Sequence, residues 1–236
     1  MKNPEINELN QSIYCYPGTS ILINNKDIKD KTELLELERI YVTYKLARLI
    51  QGEKPFVRNL TIEHYLNIHK YLFGDLYPFA GELRKEFTNK KNDEIEGEEG
   101  LRIYCDPDFI YTCLNDRLNM MKRQVREIYS RQSLIKFLST NYMELYYIHP
   151  FREGNSRTLR EFLREYVEIL NEKVIRFGNF ELDYTKLNEI ENKNFTKAVI
   201  WNTSNNIEKQ EQSMKLLEQC FDQCLVESDL KNIKKK

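Results

Sequence analysis

The sequence predicts an all-α domain with one β-hairpin, and three observations carry this prediction. Most of the chain places apolar residues at helical spacing, and only one segment alternates in the way a strand does. The 236 residues include only 8 Gly and 6 Pro, too few for the many tight turns of a sandwich or barrel. With 41% hydrophobic and 31% charged residues, the chain has the composition of a globular domain with a sizeable core.

Charge and composition also exclude several classes of partner. The 36 basic and 37 acidic residues give a net charge of -1, so nothing draws the protein to a nucleic acid. No apolar run approaches the roughly 18 residues of a membrane span, and the N-terminus has no secretory pattern. The five cysteines form no metal-ligand pattern and are expected to be reduced thiols. We therefore expect a cytoplasmic location, although secretion without a cleaved signal would leave the same sequence, and the oligomeric state is left open.

Two helices are predicted in the first third of the chain. The run over 33–51 has helical spacing, follows Thr32 as a potential cap and ends before Gly52. A second helical pattern starts near Thr61 and ends at Gly74. Its histidines, His64 and His69, are five residues apart and face different sides of the helix, so we assign both to ordinary packing rather than to a shared metal.

A β-hairpin is predicted over residues 82–104, where turn residues are followed by an acidic stretch and the short alternating segment LRIYC. The acidic residues over 93–99 are expected to form its mobile tip. Asp106 followed by Pro107 is typical of a helix start, and this helix is expected to run to about residue 128.

The second half of the chain is predicted to be helical. A nearly buried helix starts at Ser133 and stops before Pro150, and the next helix has Asn155 as its expected cap. Weaker helical patterns cover 188–202 and 206–226, and the end KNIKKK is expected to be solvated. The tyrosines of the buried helix and Trp201 are assigned to packing. No linker divides the chain, so we predict one globular unit. It consists of an N-terminal region 1–52, a core 53–205 and a C-terminal helix with a basic tail, 206–236.

The segment HPFREGNSRTLR at 149–160, between the two strongest helices, is unusually rich in polar function. His149 lies at the end of a buried helix, where a neutral imidazole can accept a proton near pH 7. The N-terminus of the following helix has unpaired N–H groups that can bind an anion, and its two arginines, one turn apart, can bind phosphates. Glu153 is placed to bind a divalent cation together with phosphate oxygens. By chemistry alone, an ordinary corner between two helices remains equally plausible.

This segment resembles the signature of the Fic family, HPFx(D/E)GNxRxxR, and LYPFAGELR at 76–84 resembles the segment that opens the family's hairpin flap. The resemblance covers about residues 60 to 200. It implies the all-helical Fic fold and transfer of AMP from ATP to a protein hydroxyl, with release of pyrophosphate. The partners would be ATP with Mg²⁺ and a protein that carries a Ser, Thr or Tyr hydroxyl, including the enzyme itself.

The resemblance also implies a role for each residue of the signature. His149 would be the general base, and Glu153 would hold the Mg²⁺ that bridges the phosphates. Phe151 would anchor the loop in the core. The remaining positions would bind phosphates: Gly154 and Asn155 as the hole for the α-phosphate, and Arg157 and Arg160 on the distal phosphates. Ser156 stands where the family most often has Gly, and because Ser is small we expect the hole to survive.

Many Fic proteins resemble one another in an inhibitory helix with the pattern (S/T)xxxE(G/N), whose Glu pairs with the second Arg of the signature. Thr32 and Glu36 reproduce the first and fifth positions, and Leu37 breaks the sixth. The alternative is a helix cap and a surface glutamate. We expect Glu36 to approach Arg160 and to inhibit incompletely. Ser204 with Glu208 fits the same spacing and ranks second.

Two other functions stay open. The same anion hole would serve the transfer of another phosphate-containing group from a different nucleotide donor. A helical interaction module with an idle site is the alternative outside enzymes, and the intact polar residues of the signature argue against it.

Overall fold

Seven α-helices and four short strands lie within the residues that the computed structural model describes, 12–92, 95–98 and 100–228. The helices are α1 (Lys31–Ile50), α2 (Ile62–Phe73), α3 (Ile110–Gln124), α4 (Arg131–Ile148), α5 (Asn155–Lys173), α6 (Glu189–Asn202) and α7 (Ile207–Cys224). The strands are β1 (Asn89–Lys91), β2 (Leu101–Ile103), β3 (Phe180–Leu182) and β4 (Leu225–Glu227). The predicted solvated end KNIKKK lies outside the described residues. The predicted all-helical architecture is confirmed.

Short 3₁₀ turns and side-chain caps set where the helices begin. Single turns at Pro107–Phe109 and Val125–Glu127 extend α3 over the predicted length. The α1 helix starts earlier than predicted because the Asp30 carboxylate, rather than Thr32, accepts the N–H of Glu33 at 2.9 Å. The prediction that Asn155 caps α5 was wrong. The cap is Gly154, and Asn155 is the first residue of the helix.

The helices share one continuous apolar core that runs from the N-terminal region to the last strand. The α4 helix packs against α3, α5 and α7, while α1 packs on α2 and α2 packs on α5. Fully buried side chains fill these contacts, and each Leu or Phe of this kind contributes about 1.5–3 kcal/mol relative to exposure. Examples are Leu134, Leu138, Phe162, Val167 and Phe221. This packing fixes the corner between α4 and α5, where the site lies.

Two antiparallel two-stranded sheets are present in the described residues, where one hairpin was predicted. In the first, Asn89 lies opposite Ile103, within the predicted range 82–104. The second pairs β3 with β4, with Phe180 opposite Glu227. It was missed because its strands are three residues long and joined through two helices, so no local alternation marks them. No helix in the described ranges is long and apolar enough to cross a membrane.

Candidate active site

A cavity of about 360 Å³ lies where α4 ends and α5 begins, and the first hairpin faces it from the other side. Six of the predicted site residues line it together, whereas Arg160, Thr32 and Glu36 do not. Its basic side chains outnumber its one carboxylate, so it suits an anion. The lining residues are Thr88, Asn89, Lys90, Tyr104, Tyr146, His149, Arg152, Glu153, Gly154, Asn155, Ser156 and Arg157.

His149 ends α4 in the left-handed region, with φ of 46°. Its ring stacks on Tyr104, which follows β2, with 3.7 Å between the ring centroids. Arg84 Nε donates a hydrogen bond to the His149 carbonyl oxygen at 2.7 Å. Burial, followed by the positive charges of Arg84, Lys90 and Arg102, lowers the pKa of His149 to about 3, against an opposing backbone hydrogen bond. The imidazole is therefore neutral at pH 7 and able to accept a proton.

The Asn155 side chain holds the loop together. Its Oδ1 accepts the N–H of Phe151 at 2.9 Å, and its Nδ2 donates to the Phe151 carbonyl at 2.8 Å. The Phe151 ring is fully buried and stacks on His69 and on Tyr65. Phe151 thus anchors the loop in the core, and the amide that sequence reasoning placed on a phosphate is already engaged by this anchor.

Gly154 is required by a neighbouring ring, while its predicted place in an anion hole stays a prediction. Its φ is +77°, and an added Cβ would lie 2.4 Å from two ring atoms of Phe73. Its N–H donates to the Glu153 carboxylate at 2.9 Å. The residue therefore serves the close packing of α2 against the loop.

The N–H groups that remain for an anion belong to the first turn of α5. The backbone nitrogens of Asn155, Ser156 and Arg157 have no acceptor within the described ranges. They stand at the positive end of the helix dipole and border the cavity. Ser156, which stands where the family most often has Gly, contributes one of these N–H groups.

His69 does more than the ordinary packing predicted for it. Its Nδ1 accepts the N–H of Gly81 at 2.8 Å, so its Nε2 donates to the Glu153 carbonyl at 2.9 Å. Burial lowers the pKa of His69 to about 3, which keeps the ring neutral, and the two hydrogen bonds fix its tautomer. The side chain thus ties the loop to the entry of the hairpin. No sequence signal marks this role, because both partners are distant backbone atoms.

Arg157 lies at the edge of the cavity between two carboxylates. Its Nη1 donates to Glu38 Oε1 at 2.6 Å and its Nη2 to Glu153 Oε1 at 3.3 Å. The guanidinium carbon lies 4.8 Å from the ring centroid of Phe73. Glu38 also accepts the hydroxyl hydrogen of Tyr77, whose pKa is raised by burial and by this bond.

Sequence reasoning missed Glu38, although a signal was present. Leu34, Glu38 and Val42 follow one another at spacing four and are the buried face of α1 together with Leu49. A carboxylate on the apolar stripe of a helix requires a buried partner. Glu36, two residues away, lies off this stripe and is exposed.

The structure does not bring Glu36 to Arg160. Arg160 Nη1 instead donates to Asn192 Oδ1 at 2.9 Å, and its guanidinium carbon lies 4.5 Å from the Phe195 ring centroid. Thr32 is exposed on α1, like Glu36. The second-ranked Glu208 is also exposed, in the first turn of α7. The two arginines of the signature thus have different partners: Arg157 pairs with carboxylates, and Arg160 donates to the neutral Asn192.

The first hairpin is tied to the helices at two points. Arg102 Nη1 donates to the Tyr146 hydroxyl at 2.8 Å. Glu98 accepts hydrogen bonds from Trp201 Nε1 and Lys209 Nζ, each at 2.8 Å. The expected mobile tip is therefore held at Glu98, while residues 93, 94 and 99 lie outside the description. Tyr146 and Trp201, which were assigned to packing, serve the cavity and the hairpin.

A helical fold that presents a neutral histidine and a helix N-terminus to an anion cavity defines a class of proteins that handle phosphorylated ligands. The model of the Fic/DOC family matches residues 59–167. A probable protein adenylyltransferase of Sinorhizobium fredii is 31% identical over 189 residues, covering 79% of this chain and 85% of that protein. The chain belongs to the Fic/DOC family.

Further relatives and solved structures agree with this assignment. The protein adenylyltransferase VbhT of Bartonella schoenbuchensis is 27% identical over 79% of this chain, which spans 35% of that longer protein. The N-terminal Fic domain of an effector protein from Bartonella sp. AR 15-3 has a TM-score of 0.71 at 21% identity, with 90% of each chain covered. BepC from Bartonella tribocorum, solved with bound AMPPNP, has a TM-score of 0.69 at 21% identity, covering 91% of this chain and 97% of that chain. The fold expected from the signature is thereby confirmed.

Proposed function

We propose that this chain transfers AMP from ATP to a hydroxyl group of a protein, itself included, and releases pyrophosphate. Its relatives are named protein adenylyltransferases, which supports this reaction class. The single observation that carries the proposal is the pairing of a buried, neutral His149 with the open N–H groups of α5 across one cavity.

His149 acts as the general base of this reaction. It takes the proton of the target hydroxyl while that oxygen attacks the α-phosphorus of ATP. A new P–O bond forms to the target, the bond from the α-phosphorus to the bridging oxygen breaks, and pyrophosphate leaves with the bonding electrons. Because its pKa lies far below 7, the histidine is in the proton-accepting form before the target arrives.

The triphosphate is held by the first turn of α5 and by the arginines. The N–H groups of Asn155, Ser156 and Arg157 replace water around the reacting phosphate, which stabilises its charge in the transition state. Arg157 adds its side chain from the edge of the cavity. Arg160 reaches a distal phosphate by leaving Asn192, a neutral partner that costs less to give up than a carboxylate.

The residues present fit a Mg²⁺ ion. Glu153 lines the cavity with 42% of its side chain exposed, and within the described ranges only its Oε1 accepts hydrogen bonds. Mg²⁺ binds through one or two carboxylates together with substrate phosphates, so a single Glu beside a triphosphate suffices. Bound there, the ion would neutralise charge on the phosphates.

The target would dock on the first hairpin. Leu101 and Ile103 of β2 are exposed, with 47% and 73% of their surface accessible. An added strand on this hairpin would receive main-chain hydrogen bonds and place its hydroxyl near His149, which is stacked on Tyr104. We place the reaction in the cytoplasm, where ATP is available and where the five free cysteines stay reduced.

The experiment that tests this function incubates the chain and a lysate with ATP labelled on either the α- or the γ-phosphate. We expect transfer of the α-label and none of the γ-label, and a slowing of about 10²–10⁴-fold in the His149→Ala variant. ATP binding by that variant should stay close to that of the wild type. Transfer of the γ-label would instead support another phosphate-containing group, and no transfer at all would leave the idle interaction module.

A further inference from the structure

Arg157 is shared by two carboxylates that are not equivalent. Glu38 holds it at 2.6 Å and has 5% of its side chain exposed. Glu153 holds it at 3.3 Å and has 42% of its side chain exposed. The first contact is short and buried, and the second is long and open to water.

These surroundings decide which partner a nucleotide can displace. Separating Arg157 from Glu38 would leave a buried carboxylate whose only other donor among the described residues is the Tyr77 hydroxyl, which is costly. Separating Arg157 from Glu153 costs little, because water can replace the arginine at a half-exposed carboxylate. A bound phosphate therefore exchanges with Glu153 and leaves the contact with Glu38 in place.

We propose that Glu38 is a positioning residue for nucleotide binding, which holds one edge of the Arg157 guanidinium so that the other edge faces the cavity. This inference rests on the proposed function, since it takes a nucleoside triphosphate as the ligand. Glu38 belongs to α1, before the family match at residues 59–167, so the N-terminal region completes the phosphate site.

Two further contacts restrict the Glu38 carboxylate and the Arg157 guanidinium. The Tyr77 hydroxyl fixes the second oxygen of Glu38, and Tyr77 is itself 2% exposed. Phe73 lies under the guanidinium plane, with its ring 4.8 Å from the guanidinium carbon of Arg157. The arginine thus approaches the cavity already ordered, which reduces the entropy lost when a phosphate binds.

A double-mutant cycle tests this role. Isothermal titration with ATP is compared among wild type, Glu38→Gln, Arg157→Ala and the double variant, with Glu33→Gln on the exposed side of α1 as the matched control. We expect Glu38→Gln to weaken ATP binding on the order of tenfold, and to add nothing once Arg157 is gone. Binding of adenosine, followed by NMR, should be unchanged because adenosine carries no phosphate.

Tyr77→Phe provides a second variant that keeps both charges. It should weaken ATP binding by a smaller factor, about two- to threefold. Thermal unfolding of each variant checks that the fold is retained. Equal losses for ATP and adenosine, or additive losses in the cycle, would assign Glu38 to fold stability alone and overturn the proposal.

Two other results of the ATP titration would be informative. Tighter ATP binding by Glu38→Gln would show that Glu38 competes with the nucleotide, which also overturns the positioning role. A wild-type protein that binds no ATP would overturn the proposed function and this inference together, whereas a wild type that binds ATP with an unaffected Glu38→Gln would overturn the inference alone.

Discussion

The two walls of the cavity are built in different ways. The loop wall, residues 149–157, is held by buried rings and by short bonds to the backbone, such as those of Asn155 to Phe151. The hairpin wall has three-residue strands with exposed faces, and long polar side chains tie it to the helices at Arg102 and Glu98. The proposed reacting groups therefore lie on the wall held by buried contacts, and a target would meet the wall held by polar side chains.

Arg84 joins the two walls. Its Nε donates to the His149 carbonyl, and its backbone N–H donates to the carbonyl of Pro150. Its Nη2 donates to the carbonyl of Cys105, just after the hairpin. The position of His149, the proposed base, is thus coupled to the hairpin wall on which a target would dock.

The largest expected effect comes from breaking the loop wall with Gly154→Ala. The control is Gly18→Ala, where φ is +72° but an added Cβ meets nothing within 4 Å. The left-handed backbone alone costs about 1–2 kcal/mol in either variant. The clash with Phe73 should cost Gly154→Ala about 1–3 kcal/mol more. Thermal or urea unfolding measures the difference, and equal losses in the two variants would contradict the role of the ring contact.

Breaking the hairpin wall should have a smaller and more local effect. Glu98→Gln removes the charge that holds Lys209, and Glu96→Gln at an exposed neighbouring position is its control. We expect amide exchange in β2 to accelerate and auto-modification to fall about two- to fivefold, since a partly exposed pair contributes at most about 1 kcal/mol. ATP affinity should not change. Unaltered exchange in β2 would mean that the tie at Glu98 does not order the hairpin.

The same contrast explains which part of the site the sequence predicts. The six predicted site residues that line the cavity lie within one continuous signature, so a single pattern finds them together. Glu38, His69 and Tyr104 reach the site from three other segments, and only the tertiary fold brings them there. Of these, Glu38 alone leaves a local signal, because it interrupts the apolar stripe of α1.

The predicted anion-hole roles of Gly154 and Asn155 stay predictions, and the structure shows a second use for each residue. Glycine and asparagine in a loop are compatible with an anion hole, but also with close packing and with a closed turn. The structure shows the second use for Gly154 against Phe73 and for Asn155 on Phe151. The helices were predicted more successfully than the roles of single residues, because apolar periodicity over many residues depends on burial and not on one partner. The short strands β3 and β4 offered no such periodicity.

The pH dependence of His149 sharpens the comparison, because this residue of the loop wall is affected by the charges of Arg84 and of Lys90 and Arg102 in the hairpin wall. Its pKa of about 3 means that the ring stays neutral from pH 8 to pH 5, and the base form is lost only as the pH falls toward 3. A histidine with a pKa near 6.5 would instead lose about threefold in base form between pH 7 and pH 6. NMR of the ring carbons in the free protein measures this, with assignment by His149→Ala among the three histidines. A titration centred near pH 6.5 would show that the site is wetter than the structure indicates.

The smallest expected effect belongs to Glu36, which shares α1 with Glu38 but not its face. Glu36 is exposed and Arg160 is bound to Asn192, so neutralising Glu36 removes no contact of the site. We expect Glu36→Gln to leave auto-modification within about twofold of the wild type, because exposed pairs contribute about 0–1 kcal/mol. The Gln variant is preferred to Gly, which would cost the helix about 1 kcal/mol. A rise of several-fold would mean that α1 moves to bring Glu36 onto Arg160, and the N-terminal region would then inhibit the site as well as complete it.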